Sequence, residues 1–296
     1  MQLLQSMFNA DADQASLAYS KMENVFSKSL EVLAKAPECL KFFQAFGQGT
    51  DATNVETKIF DTTGQANIVT NPSQLPVVGA TKKTVMQHVY SVGAQFEFSR
   101  QELESSIRYG LDLDARKHAA AMRAHAKTLD TLFFAGDATN QITGLKDYQM
   151  DSVALAKKWT AADVDAAKIA NDLRSLARKV AMNSGGVIRA NRILLSSDAI
   201  DVVTTKHING KTALDIFHAG NPDVEVMESY SMKSLAGIDA IAFDATSDVA
   251  GVWLPKFGER LAEQLVGLNV VVPVETRTAG LVVNDPSALV KLTNVI

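Results

Sequence analysis

Residues 98–134 read FSRQELESSIRYGLDLDARKHAAAMRAHAKTLDTLFF, and the punctuation of this stretch decides how the rest of the chain is laid out. Ser99 followed by Glu102 has the spacing of a capping box, in which a hydroxyl and a carboxylate satisfy exposed backbone N–H groups at a helix start. Leu103 and Ile107 open an apolar stripe, and Ala119, Met122, Ala126, Leu129 and Phe133 continue it at helical spacing. Tyr109-Gly110 interrupts the pattern, while Asp112 and Asp114 favour a fresh N-terminus, so a break or bend is expected there. As one unbroken helix, residues 101–134 would span about 50 Å at roughly 1.5 Å per residue, long for a globular domain.

Upstream the character changes. Residues 50–94 are rich in Thr, Asn, Gly, Gln and Ser, with strand-like segments at 56–60 and 84–92. Asp61-Thr62-Thr63-Gly64 and Asn71-Pro72-Ser73-Gln74-Leu75-Pro76 are turn signals between them. The result is a long two-stranded excursion with little apolar content of its own, unusual in a compact domain unless it has a task. Two readings stand: an extended hairpin laid on a neighbouring subunit, or a flexible surface loop. Further upstream, Leu17, Met22, Val25, Phe26, Leu30 and Leu33 predict an amphipathic helix over 13–35, stopped by Pro37. Leu40, Phe42, Phe43 and Phe46 form a second apolar patch, ending at Gly47-Gln48-Gly49.

Downstream, Gly136-Asp137-Ala138-Thr139-Asn140 leads through a loop to Gly144-Leu145. Thr160 or Asp163 is expected to cap a helix reaching about Met182, and Gly185-Gly186 then turns into a short buried strand at 192–195. Ser196-Ser197-Asp198 caps a helix to Lys206, and 212–218 forms another. Strands are expected at 224–227, 238–243 and 251–254, which makes this a mixed αβ segment. Residues 265–275 and 280–283 read as two strands joined near Thr276-Arg277-Thr278-Ala279, and Asp285-Pro286 turns into a last apolar piece, 288–296.

Composition narrows the function classes. With 47% hydrophobic and 21% charged residues in 296, the chain has ordinary globular chemistry and length for an ample core. Its single cysteine, Cys39, precludes an internal disulfide framework and points to a reducing compartment. The start lacks the basic region of a signal peptide, and the apolar stretch 265–274 is short and contains Pro273, so a soluble protein without a membrane partner is expected. The net charge of −4 and the lack of a basic run argue against strong phosphate gripping.

The remaining residues carry no catalytic pattern. His118 and His125 lie seven apart, not at the i, i+4 spacing of a helical metal pair, and HExxH does not occur. Residues 136–144 lack the Gly-Lys-Ser/Thr ending of a phosphate loop and follow a helix rather than a strand. Acidic pairs such as Asp112/Asp114 and Asp163/Asp165 sit at helix starts, where the dipole accounts for them. No catalytic, cofactor-binding or metal-binding residue is therefore assigned, no cofactor is expected, and the chain does not read as an enzyme.

The order of parts carries a resemblance. An N-terminal helical arm, a long polar hairpin, a long helix, an αβ segment and returning strands resemble, in sequence, the tailed-bacteriophage major capsid proteins of the Hong Kong ninety-seven fold. Phe98-Ser99-Arg100-Gln101-Glu102-Leu103 resembles the start of that family's spine helix. Asp130 through Gly136-Asp137, followed by Gly144-Leu145, resembles the segment closing it, and Arg277-Thr278-Ala279-Gly280 with Asp285-Pro286-Ser287-Ala288-Leu289 resembles the return strand and chain end. The resemblance implies an α+β fold with N-arm, extended E-loop, spine helix, P-domain sheet and mixed αβ A-domain. Its divisions would be 1–48 for the arm and start of the P-domain, 49–96 for the E-loop, and 97–150 for the P-domain with its spine. They continue with 151–257 as A-domain, 258–285 as P-domain return strands and 286–296 as the A-domain end.

The same resemblance implies a non-enzymatic shell subunit that assembles with itself through pentamers and hexamers into an icosahedral head. Double-stranded DNA would be a weakly held neighbour, with a separate scaffolding protein, portal and decoration proteins as further partners. Localisation would be the virion, after assembly in the host bacterial cytoplasm. Candidate inter-subunit residues are Lys58, Ile59, Phe60, Lys82 and Val85 on the excursion, and Arg277, which otherwise reads as solvated in a hairpin turn. Because the arm begins within about a dozen residues of Met1, no long fused scaffolding segment is expected. The rival implied reading is an encapsulin-type nanocompartment packaging enzymes; from another class, an αβ enzyme would carry a pocket near 136–144.

Overall fold

The computed structural model describes residues 36–47, 51–64, 77–109, 113–234 and 237–296. The helix expected over 13–35 and the turn at 71–76 lie outside the described residues. In chain order the elements begin with α1 (Cys39–Phe42), β1 (Ala45–Phe46), β2 (Asn54–Thr63), β3 (Gly79–His88), β4 (Tyr90–Ser99), α2 (Arg100–Tyr109) and α3 (Leu113–Phe134). They continue with β5 (Asp151–Ala154), α4 (Ala166–Asn183), β6 (Arg192–Ser196), α5 (Ser197–Thr205), β7 (His207–Ile208), β8 (Lys211–Thr212), α6 (Ala213–Gly220) and β9 (Glu225–Ser229). Last come β10 (Ala240–Phe243), β11 (Ala250–Trp253), β12 (Lys256–Arg260), β13 (Gln264–Val266), β14 (Asn269–Thr278), β15 (Gly280–Val283) and β16 (Leu289–Thr293).

The capping box forms: Glu102 N donates to Ser99 Oγ and Ser99 N to Glu102 Oε2, both at 3.2 Å. Helix is present on both sides of residues 110–112, as α2 up to Tyr109 and α3 from Leu113, and the expected break lies outside the described residues. Thr212 closes a second capping box on Asp215, and Ser196 Oγ accepts from Ala199 N at the head of α5. One expected cap is corrected. Neither Thr160 nor Asp163 starts a helix; α4 begins after Asp165, and the Asp163 carboxylate is held by Lys157 instead.

The chain forms two compact units, one of them gathering Gly93–His125 and Gly258–Glu275. Here β14 pairs with β12 and β13, and β4 joins β14. Phe96, Phe98, Ala121, Val272 and Val274 pack into a small core with Met122 of α3 against it. Alternation places Phe96 and Phe98, and Val272 and Val274, on one sheet face.

The other unit, Ala36–Val92 with Ala126–Phe257 and Thr276–Ile296, is organised by a five-stranded sheet in the order β5-β16-β10-β6-β9. β6 and β10 are apolar and buried almost throughout, as strands covered on both faces must be. Ile193, Leu195, Ala240, Ala242, Val290 and Leu292 meet α4, α5 and α6 through Ile169, Leu173, Val203 and Phe217. The intervening Leu194, Ile241, Phe243 and Leu289 face a second core containing Phe42, Phe43, Phe133 and Phe134. There Phe43 stacks on Phe243 with centroids 4.3 Å apart.

The returning strands depart from the expected hairpin. β14 and β15 are separated only by Ala279, yet β15 pairs with β11 in a small sheet with β1, not with β14. Gly280, at φ +77°, and the Thr278 hydroxyl, which accepts from Gly280 N at 2.9 Å and donates to Trp253 O at 3.0 Å, turn the chain from one sheet into the next. Arg277 accordingly lies inside a strand, not in a turn.

Candidate assembly surfaces

The polar excursion is an antiparallel hairpin of ten residue pairs, from Asn54↔His88 to Thr63↔Gly79. Its register sorts the expected contact residues. Thr57 opposes Val85 and Ile59 opposes Lys83, so Ile59 and Val85 share one face. Lys58 opposes Thr84 and Phe60 opposes Lys82, which places those positions on the other face with Glu56. There Glu56 lies 3.5 Å from Lys58 Nζ and 4.0 Å from Lys82 Nζ. All three side chains are about half exposed, so these pairs add little to folding, roughly 0–1 kcal/mol.

The base of the hairpin is held, and residues 77–84 beyond it are bare. Val55 and Val89 pack with Phe46 and Ala52 against Trp253, Ala279 and Val282. Gln87 Nε2 donates to Leu281 O at 3.1 Å, and Arg277 Nη2 donates to Ala52 O at 3.0 Å. Arg277 is therefore a half-buried strut at the foot of the hairpin. Beyond the base, residues 79–84 are exposed on both faces, with Val77 91%, Val78 60% and Met86 64% accessible. A strand pair with so few contacts among the described residues gains little from local packing to offset its conformational entropy.

A second bare apolar site was not legible as such in the sequence. Residues 265–275 are not one strand: Val266 pairs with Asn269 across a two-residue turn at Gly267-Leu268. Gly267 has φ +63°, the left-handed first position such a hairpin demands, and that glycine was the available signal. Leu265 and Leu268 are 83% and 76% exposed, with Val266 and Leu261 beside them also exposed. β13 pairs only with β14 among the described strands, leaving an apolar strand edge open. At the foot of this hairpin Arg260 donates to Asp114 at 2.9 Å and to Glu263 at 2.8 Å.

The 136–144 loop is a helix stop. Asp137 and Ile142 bridge, and Leu145 N and Lys146 N donate to the Phe133 and Phe134 carbonyls at the end of α3. The two backbones approach so closely that a Cβ on Gly136 or Gly144 would collide with the other, which explains the Gly-Asp and Gly-Leu pairs. The Asp137 carboxylate accepts from Asn140 Nδ2 and Thr139 N, which hold it below the usual carboxylate range. Asp130 closes a longer tie: its two oxygens accept from Glu38 N at 3.0 Å and Cys39 N at 2.9 Å. Glu38 in turn accepts from Tyr230 N and Ser231 Oγ. Burial and the neighbouring Asp130 push the Cys39 thiol far up, so it behaves as a buried apolar group. Among the described residues no cluster of His, Cys, Asp and Glu is placed to hold a metal ion, and no helix is long and apolar enough to cross a membrane.

Comparison with solved structures finds the same fold in viral shells. The capsid of Myoviridae phage XM1 superposes with a TM-score of 0.72 at 16% identity, covering 86% of this chain and 91% of that one. The capsid of an empty GTA particle gives 0.66 at 16% identity over 94% and 98%. A virus-like particle from Pyrococcus furiosus gives 0.55 at 13% identity over 96% and 99%. No curated protein sequence matches this chain. The family described as Major capsid protein matches residues 64–295, most of the molecule, and with that match the chain belongs to the major capsid protein family.

Proposed function

We propose that this major capsid protein builds the icosahedral head of a tailed phage by self-assembly through pentamers and hexamers around double-stranded DNA. The observation that carries the reading is the β2–β3 hairpin, anchored at its base and bare over residues 77–84. Ile59 and Val85 would lie on a neighbouring subunit, with Phe60, Lys58 and Lys82 on the hairpin's opposite face. Arg277 would set the hairpin's angle from its foot. The exposed Leu265–Leu268 turn offers a second small contact, and many weak contacts suffice in a closed shell. In family terms the five-stranded sheet with α4 to α6 corresponds to the A-domain, β2–β3 to the E-loop, and α3 with β14 to the spine and P-domain. The chain acts as structure, not as an enzyme, and assembles in the host cytoplasm before residing in the virion, with scaffolding, portal and decoration proteins as separate partners.

Light scattering and negative-stain microscopy of the purified chain at micromolar concentration test this. Closed shells or rings of five and six are expected, and Val85→Asp is expected to reduce them while leaving the chain folded. A monomer unchanged by crowding agent or by co-expressed phage proteins overturns the reading. The likeness to the Pyrococcus furiosus virus-like particle, covering nearly all of both chains, keeps a nanocompartment as the second reading. Particles that carry protein cargo and no nucleic acid would select it.

A further inference from the structure

His125 is the one fully buried histidine among the described residues, 2% exposed on α3. Both of its ring nitrogens are shut off from solvent, and neither makes a hydrogen bond of good geometry among the described residues. Two turns earlier on the same helix, His118 also has a buried Nδ1 without such a bond, and its ring meets the edge of Phe96 at 6.2 Å. Both histidines belong to the smaller unit, in which α3 packs on the face formed by β4, β12 and β14. Neither was assigned a role by its spacing, and neither belongs to the assembly surfaces of the hairpin or the Gly267 turn.

The charges on that face are set by strand alternation. On β4, Phe96 and Phe98 point at the helix, so Glu97 points away. On β14, Val272 and Val274 point at it, so Glu275 points away. On β12, Gly258 lies against Met122, which turns Glu259 outward and brings Arg260 over the Phe96 ring, 5.7 Å from its centroid. From α3 itself Lys117 sits over Phe98 at 4.8 Å. The carboxylates within reach are already engaged: Glu102 by Lys117, and Asp114 and Glu263 by Arg260. A proton on the His125 imidazole therefore enters a buried site in which no described side chain accepts it, while the cations and acids of this face are already paired with one another.

We propose that this histidine stripe is a built-in acid release: protonation loosens the packing of α3 on its sheet while the larger unit stays folded. Burial holds His125 below its ordinary value of 6.5, opposed only in part by the Val274 backbone. The sign is fixed by linkage. The folded form binds the proton less readily than the unfolded chain, so the stability His125 contributes is complete above pH 6.5 and is lost as pH falls from there through the folded value. No histidine is buried in the larger unit among its described residues, so the loosening is local.

Hydrogen exchange of the intact protein, corrected for the intrinsic pH dependence, tests this between pH 7 and pH 5. Protection in 113–125 and 269–275 is expected to fall, while β6 and β10 hold theirs. His125→Phe should keep its protection at pH 5; equal losses in variant and wild type overturn the proposal. Should that variant fail to fold, exchange at the imidazole C2–H of the wild-type protein decides instead. A His125 titration midpoint below 6.5 supports the proposal, and one at or above 6.5 overturns it.

Discussion

The β2–β3 hairpin and the five-stranded sheet use the same strand geometry and bury themselves in opposite ways. In the sheet, alternate residues of β6 and β10 go to two different cores, so both faces are covered and the sequence is apolar almost without a break. In the hairpin only the first pairs reach a core, and the strands beyond carry Lys, Thr and Glu with isolated apolar residues. One region is stabilised by its own chain. The other is specified by its own register, Asn54↔His88 onward, but is left to find its burial elsewhere. A shell subunit needs both: a body that folds before assembly, and arms whose stability arrives with assembly.

The difference can be broken by substitution. The largest effect is expected in the sheet, where Leu194→Ala removes a fully buried side chain from the core on the β6 face. It should cost about 2–5 kcal/mol in denaturant unfolding of the dissociated chain. Ile59→Ala on the hairpin should cost under about 1 kcal/mol in the same measurement but lower the yield of particles. Equal costs in the dissociated chain would end the distinction. Next comes Asp130→Ala, which strips the acceptor from Glu38 N and Cys39 N and leaves two partly buried donors unsatisfied. About 2–3 kcal/mol is expected, together with faster labelling of Cys39 by a thiol reagent. The smallest effect is expected from Lys58→Met with Lys82→Met. These lysines share Glu56 on an exposed face, so stability should move by no more than about 0.5 kcal/mol while particle assembly reports any use of that face.

Much of the fold was legible because it is encoded within a few residues of where it acts. Ser99 with Glu102, Ser196 with Ala199, and Thr212 with Asp215 are caps whose partners lie three positions away. Asp163 misled because its carboxylate had a stronger claim on it, from Lys157. β5 and β12 went unread. Asp151–Ala154 is short and mostly exposed, and only its parallel pairing with β16 makes it a strand. Of the candidate surface, the hairpin was readable from its polar composition, but Asp61-Thr62-Thr63, expected as a turn, lies inside β2. The Gly267 turn was hidden inside a run that looked like one strand.

The sequence by itself determined the longer helices, the order of the main parts, the 136–144 loop glycines and the family resemblance, since periodicity, capping and φ preferences are local properties of the chain. The tertiary structure alone decided which partners those elements take. It sent β14 and β15, one residue apart, into different sheets, and joined Asp130 to a backbone segment 91–92 positions away. It also put Ile59 with Val85 but Phe60 with Lys82, and buried His125 with neither ring nitrogen reaching a partner. Partner choice across such distances is settled by which arrangement buries the most apolar surface with every backbone group paired, a property of the whole packed chain that no local window contains.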